Sequence, residues 1–247
     1  MATGTPDFTI DLESLLEAGS HFGHQIRRWN PKMKQFIYAE RDGVHIFDLA
    51  KTAAQLEAAC KELYEAGAAG KIVVFVGTKR QAQEIVKTAA ADAGAMYITT
   101  RWLGGLITNW EQVSKSIAKL NSMKKDREEG KFTKYTKYEQ VQIDKDIVKL
   151  ERFFGGVATL KRIPDMLVVA DINNDLVAVK EAQVKEVPVL AIADSNTDPD
   201  LVKVAIPAND DAVGSIKVII DALAAAYKQG RALSKSQEEK APVPAQK

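Results

Sequence analysis

The chain has 247 residues, of which 46% are hydrophobic and 27% charged, an ordinary soluble make-up with length enough for one α/β core and an insertion. A single cysteine, Cys60, excludes an intrachain disulfide and a cysteine-based metal cluster, and no apolar run is long enough to span a membrane. The N-terminus shows no signal or transit pattern, so the expected place is the cytoplasm. Net charge is only +1, but it is unevenly spread: residues 109–162 hold 13 Lys/Arg against 8 Asp/Glu, and residues 163–227 hold 4 against 11. Such polarisation favours one face turned toward polyanions and another toward water or a different partner.

Residues 9–18 predict a short amphipathic helix with Ile10, Leu12, Leu15 and Leu16 apolar. Residues 36–38 and 44–47 flank Arg41-Asp42-Gly43 and predict a β-hairpin. Ahead of the hairpin, Arg27, Arg28, Lys32 and Lys34 surround Trp29, Asn30 and Pro31. Basic residues interleaved with an aromatic on a broken loop suit phosphate contacts plus stacking on a base or sugar. The other reading is a solvated basic loop with Trp29 in the core, and both stand. His21 and His24 have no carboxylate or cysteine close in sequence, which favours local hydrogen bonding over metal ligation. Residues 50–66 predict a helix with Ala53, Leu56, Cys60 and Leu63 on one face.

Residues 71–98 read as a β-α-β unit. The run 72–76 is apolar without alternation, as for a central parallel strand; Gly77 turns the chain; Gly94 closes the helix. Nucleotide-binding domains begin in this way, yet neither G-x-G-x-x-G nor G-x-x-x-x-G-K-[ST] is present, only Gly77. Lys79 and Arg80 at the helix N-terminus could still hold a phosphate, including that of a polynucleotide. Next, Arg101-Trp102-Leu103-Gly104-Gly105-Leu106 makes a turn where backbone must pass close to another group. Thr108 and Glu111 fit a capping box that opens a new helix.

That helix starts an insertion, residues 109–158. Trp110, Val113, Ile117 and Leu120 recur at steps of three and four, as do Ile143, Ile147, Leu150, Phe154 and Val157, the pattern of an antiparallel two-helix coiled coil. At its tip Lys131, Lys134 and Lys137 alternate with Phe132, Tyr135 and Tyr138. A basic, aromatic tip on a projecting arm suits contact with RNA or a protein partner; the plain alternative is a solvated loop.

After Gly155-Gly156 and Pro164 the α/β pattern returns, with strands at 166–170, 187–193 and 202–206 and helices at 175–185 and 212–227. Asp171 and Asp194 follow the first two strands, where an α/β enzyme would hold a metal. Residues 194–200 begin like a calcium loop, but Pro199 and Ala205 stand where Gly and Glu are required. No catalytic triad, activated cysteine or paired acid site suggests itself. The α/β core is thus expected over residues 1–108 and 159–228, with a disordered polar tail over 229–247.

Four long motifs in order carry a family resemblance: LLEAGSHFGHQIRRWNPKMKQFIYAERDGVHIFDL, VGTKRQAQ with RWLGGLITN, PDMLVVADINNDLVAVKEAQVKEVPVLAIADSNTDPD, and IPANDDAVGSI. Together they resemble the bacterial family of ribosomal protein two of the small subunit, from about residue 10 to 227, with looser matching in the arm. Glu186, Thr197 and Gly214 depart from that family's frequent residues. The resemblance implies a flavodoxin-like doubly wound parallel sheet with an inserted antiparallel coiled-coil hairpin. It also implies a non-catalytic, cofactor-free scaffold that binds small-subunit rRNA and neighbouring ribosomal proteins and helps recruit the mRNA-binding protein one. Its expected RNA contacts are Arg27, Arg28, Trp29, Lys32, Lys34, Lys79, Arg80, Arg101, Lys131, Lys134, Tyr135 and Lys137. The rival expectations are a nucleotide- or metal-dependent enzyme at Asp171 and Asp194, and a protein-docking module that uses the arm.

Overall fold

The structure, a computed structural model, describes residues 8–238. Helix α1 (Leu12–Glu17) is capped by Asp11, whose carboxylate accepts from the amides of Glu13 and Ser14. Strands β1 (Phe22–Gln25), β2 (Ile37–Arg41) and β3 (Val44–Phe47) form a small antiparallel sheet in the order β1-β3-β2. At the β2–β3 turn Asp42 has φ 53° and Gly43 φ 78°, the left-handed pair that an Asp-Gly hairpin uses. Strand β1 is the addition to the expected hairpin; its FGHQ sequence carries neither alternation nor β-branched residues that would announce it.

Helix α2 (Leu49–Ala68) leads into β4 (Val73–Val76), α3 (Gln83–Asp92) and β5 (Met96–Ile98), the β-α-β unit read from the sequence. After the insertion come β6 (Met166–Val169), α6 (Leu176–Val184), β7 (Val189–Ala193), β8 (Val204–Pro207) and α7 (Val213–Glu238). The five long-range strands are all parallel, in the order β5-β4-β6-β7-β8. Counted from the first strand of this sheet that order is 2-1-3-4-5, the flavodoxin-like doubly wound arrangement. Every residue of β4, β6 and β7 is buried, which is why these strands are uninterrupted apolar runs. One face of the sheet is covered by α2, α3 and α7, the other by α6, Trp102, Leu106 and the base of the insertion.

Two glycines let α2 and α7 touch backbone to backbone. A Cβ on Gly67 would lie 2.6 Å from the carbonyl oxygen of Tyr227, and one on Gly230 would overlap the carbonyl oxygen of Tyr64. The disorder expected from residue 229 therefore fails through residue 238: Gly230 is a contact glycine inside α7, not a helix terminator. The rest of the expected tail, residues 239–247, lies outside the described residues.

The insertion is made of α4 (Trp110–Glu128) and α5 (Lys137–Phe154). Asn121 reaches the carbonyl of Ala158, Lys124 pairs with Glu151, and Arg127 with Asp144, a falling series that sets the helices antiparallel. Val113, Ile117, Leu120 and Phe154 are buried against the sheet, whereas Ile143, Ile147 and Leu150 are only half-buried. The expected seam is thus buried at its base and thins toward the tip. The expected Thr108–Glu111 capping box is not made: α4 has Asn109, not Thr108, at its N-cap, and the Thr108 amide and hydroxyl both donate to Glu181. A capping box forms instead at Thr136 and Glu139, opening α5.

Candidate nucleic-acid interface

The C-terminal ends of β4, β6, β7 and β8 bring one lysine among several acids. Lys79 Nζ lies 3.2 Å from Asp171, 2.7 Å from Asp210 and 2.7 Å from Asp211. Burial opposes its charge, but the hydrogen bonds and fields of these acids outweigh that and raise its pKa. Burial, with Asp171 and Asp194 close by, pushes Asp210 up to about 7. Strand β1 closes the cluster: His24 Nδ1 is 3.0 Å from Asp194, whose carboxylate also accepts from the His24 amide at 3.1 Å. The hydrogen bond to Asp194 raises the His24 pKa despite partial burial. Folding has brought His24 the carboxylates that its sequence neighbourhood lacks. His24, Asp194 and Asp210 are the set among the described residues that could hold a cation, with ligand atoms within 4.8 Å of one another.

The place where a nucleotide phosphate would sit is occupied by the chain itself. The Thr78 amide donates to Asp175 at 3.2 Å and its hydroxyl at 2.7 Å. Gly77 leaves room for α3, since a Cβ there would stand 2.6 Å from Val86 Cγ2. A backbone amide already bound to a carboxylate is not free to cradle a phosphate. Lys79 is likewise withdrawn from the expected phosphate contacts, while Arg80 is exposed.

The basic loop consists of two short 3-10 turns, at Ile26–Arg28 and Pro31–Phe36, pinned to the core where the Asn30 amide donates to the Ser195 carbonyl at 2.7 Å. Met33 is its buried anchor. Arg27, Arg28 and Lys34 are exposed, and none has an acid partner among the described residues; Arg27 Nε donates to Gln25 at 3.0 Å. Trp29 is half-buried and stacks on His45, centroids 5.0 Å apart. Lys32 differs from its neighbours: it bridges Asp198 and Asp200, each at 2.8 Å. Sequence separation hid those partners, although Asp198 also caps the turn at Pro199–Leu201, as its Asp-Pro context suggests.

Glu181 escaped the sequence reading altogether. Its carboxylate accepts from Trp102 Nε1 at 3.1 Å, from the amides of Gly105 at 2.7 Å, Ile107 at 3.1 Å and Thr108 at 3.2 Å, and from the Thr108 hydroxyl at 3.1 Å. This is the group that the Gly-Gly turn passes close to. Burial opposes ionisation, but the convergent donors win and lower its pKa. The available signal was a charge on the buried stripe of α6, beside Ala178 and Ala182. Above it Arg101 is exposed, without an acid partner among the described residues.

At the arm tip Lys131 is held by Asp126 at 2.8 Å and Glu129 at 2.7 Å. Lys134 lies 5.5 Å from the Tyr135 ring centroid, and Lys134, Tyr135 and Lys137 are all exposed. Of the twelve expected RNA residues, then, the fold engages Lys32, Lys79 and Lys131 with its own acids and leaves the other cations outward.

The family model described as "Ribosomal protein S2" matches residues 15–230. Among curated relatives, the "Small ribosomal subunit protein uS2" of Roseiflexus sp. (strain RS-1) is 45% identical over 222 residues, covering 90% of this chain and 85% of the relative. No helix among the described residues is long and apolar enough to cross a membrane.

Proposed function

The chain belongs to the ribosomal protein S2 family, structural and non-enzymatic components of the small ribosomal subunit, and from that premise we propose a non-catalytic rRNA-binding scaffold. Its place is the cytoplasmic ribosome, and its partners are rRNA and other ribosomal proteins, the mRNA-binding protein one among them. The observation that supports this reading best is the pinned loop that turns Arg27, Arg28 and Lys34 outward with no acid partner among the described residues. Unpaired cations on a fixed backbone suit phosphates, because each releases a counterion on contact. Trp29 adds a ring beside them, although its stack on His45 already uses one face. The second contact region is the arm tip with Lys134, Tyr135 and Lys137.

The test is binding of the full chain to small subunits depleted of it, measured across salt concentrations. A log–log salt slope equivalent to several phosphate contacts supports the scaffold. A flat slope would instead favour docking through protein surfaces alone.

A further inference from the structure

We infer that the turn 101–109 docks directly on the ribose–phosphate backbone of rRNA, with the main chain at Gly104 as the point of closest approach. The inference rests on the reading of the chain as an rRNA-binding scaffold. A fold keeps glycine for two internal reasons, a left-handed φ or want of room for a Cβ. Gly104 has neither: alone among the described glycines, it combines a φ outside the left-handed range with no atom within 4 Å of where a Cβ would stand. The room is missing only if another molecule fills it.

The surroundings identify the chemistry of that molecule. Gly104 is exposed, and its N–H meets no acceptor among the described residues. Arg101, three residues away, is exposed without an acid partner among them. Arg152 is equally exposed and lies on the adjoining segment, where its carbonyl accepts from the Thr100 hydroxyl at 2.8 Å. A bare amide on a turn that carries one exposed arginine and adjoins a second, neither with an acid partner among the described residues, suits a phosphodiester far better than an apolar or acid-poor protein surface. Glu181 holds the turn from beneath through five hydrogen bonds, so little freedom is lost when the turn docks.

Depleted small subunits titrated with wild type, Gly104→Ala and Gly104→Leu test this. Gly104→Ala should keep the wild-type thermal midpoint, since no atom among the described residues lies within 4 Å of the added Cβ, and Gly104→Leu should keep it too because the position is exposed. Affinity should fall in the order Gly, Ala, Leu, by about tenfold or more for Leu, the loss expected when a close contact is forced apart. An iron chelate carried on Asn109→Cys should cut rRNA beside the turn; the buried Cys60 thiol, pushed up to about 12 by burial and by Glu57, will not take the label. Equal affinities for the three chains overturn the inference, and so does a loss of affinity with no rRNA cleavage, which would place a protein there. Failure of the wild type itself to bind with a salt slope would strike the scaffold reading instead.

Discussion

Trp102 and Glu181, 79 residues apart, are joined by an indole N–H···carboxylate hydrogen bond of 3.1 Å inside the protein. The bond fixes the most aromatic point of the turn 101–109 to α6 and aligns the three amides that share the same carboxylate. One side chain therefore sets the conformation of a whole surface turn.

Replacing Glu181 with Gln turns one acceptor into a donor that faces other donors. The expected cost is about 2–3 kcal/mol, the scale of an unmet buried hydrogen bond to a charged group, read as a lowered urea midpoint. The carboxyl is held below the ordinary glutamate range, so its stabilisation is complete above the unfolded-state pKa and is lost as pH falls through the folded-state value. Below about pH 4 the wild type should lose stability more steeply than Glu181→Gln. Parallel acid profiles for the two would remove the carboxylate from this role.

Gly67→Ala should destabilise by about 1–3 kcal/mol or more, because its methyl meets backbone rather than a side chain that can swing away. Gly230→Ala should behave alike. Unchanged thermal midpoints in both would deny the close approach of α2 and α7.

Glu186 sits just beyond α6 with φ 55°, a conformation costly for a side chain with a Cβ. Glu186→Gly is expected to stabilise by about 1 kcal/mol, since glycine takes the left-handed position after a helix without strain. A lowered urea midpoint would contradict it.

In the arm, Leu120→Ala should cost about 2–5 kcal/mol, as for a fully buried leucine. Ile147→Ala and Leu150→Ala should each cost less, because both are half-buried. A larger loss at Ile147 than at Leu120 would mean that the two helices seal along their full length.

The sheet was legible because its central strands are buried on both faces and so appear as unbroken apolar runs; the runs at 72–76 and 166–170 each lie within a residue of the observed strand. Helix α3 and its close at Gly94 were legible for a similarly local reason. What was not legible depends on contacts between distant segments. Gly230 looks like a terminator until Tyr64 is seen against it, and Lys32 looks free until Asp198 arrives from 166 residues away. Lys79 reads as a phosphate ligand by position, yet three acids from later segments surround it. The Thr108 capping signal was real chemistry with the wrong partner: Glu181 takes its hydroxyl. The position that departs from the family at Gly214 also gains a structural meaning, since a Cβ there would stand 3.1 Å from the Ala18 carbonyl of the segment after α1.

The proposed rRNA face is tested most directly by the double variant Arg27→Ala with Arg28→Ala, followed on one preparation by thermal midpoint and by binding to depleted small subunits at several salt concentrations. Both side chains are exposed and neither has an acid partner among the described residues. The expected result is a midpoint nearly unchanged, weaker binding that shows most at low salt, and a salt slope flatter by about two units, one for each phosphate contact removed. A lowered midpoint with the wild-type affinity and slope would contradict it, making the pair supports of the loop around Trp29 rather than contacts to RNA.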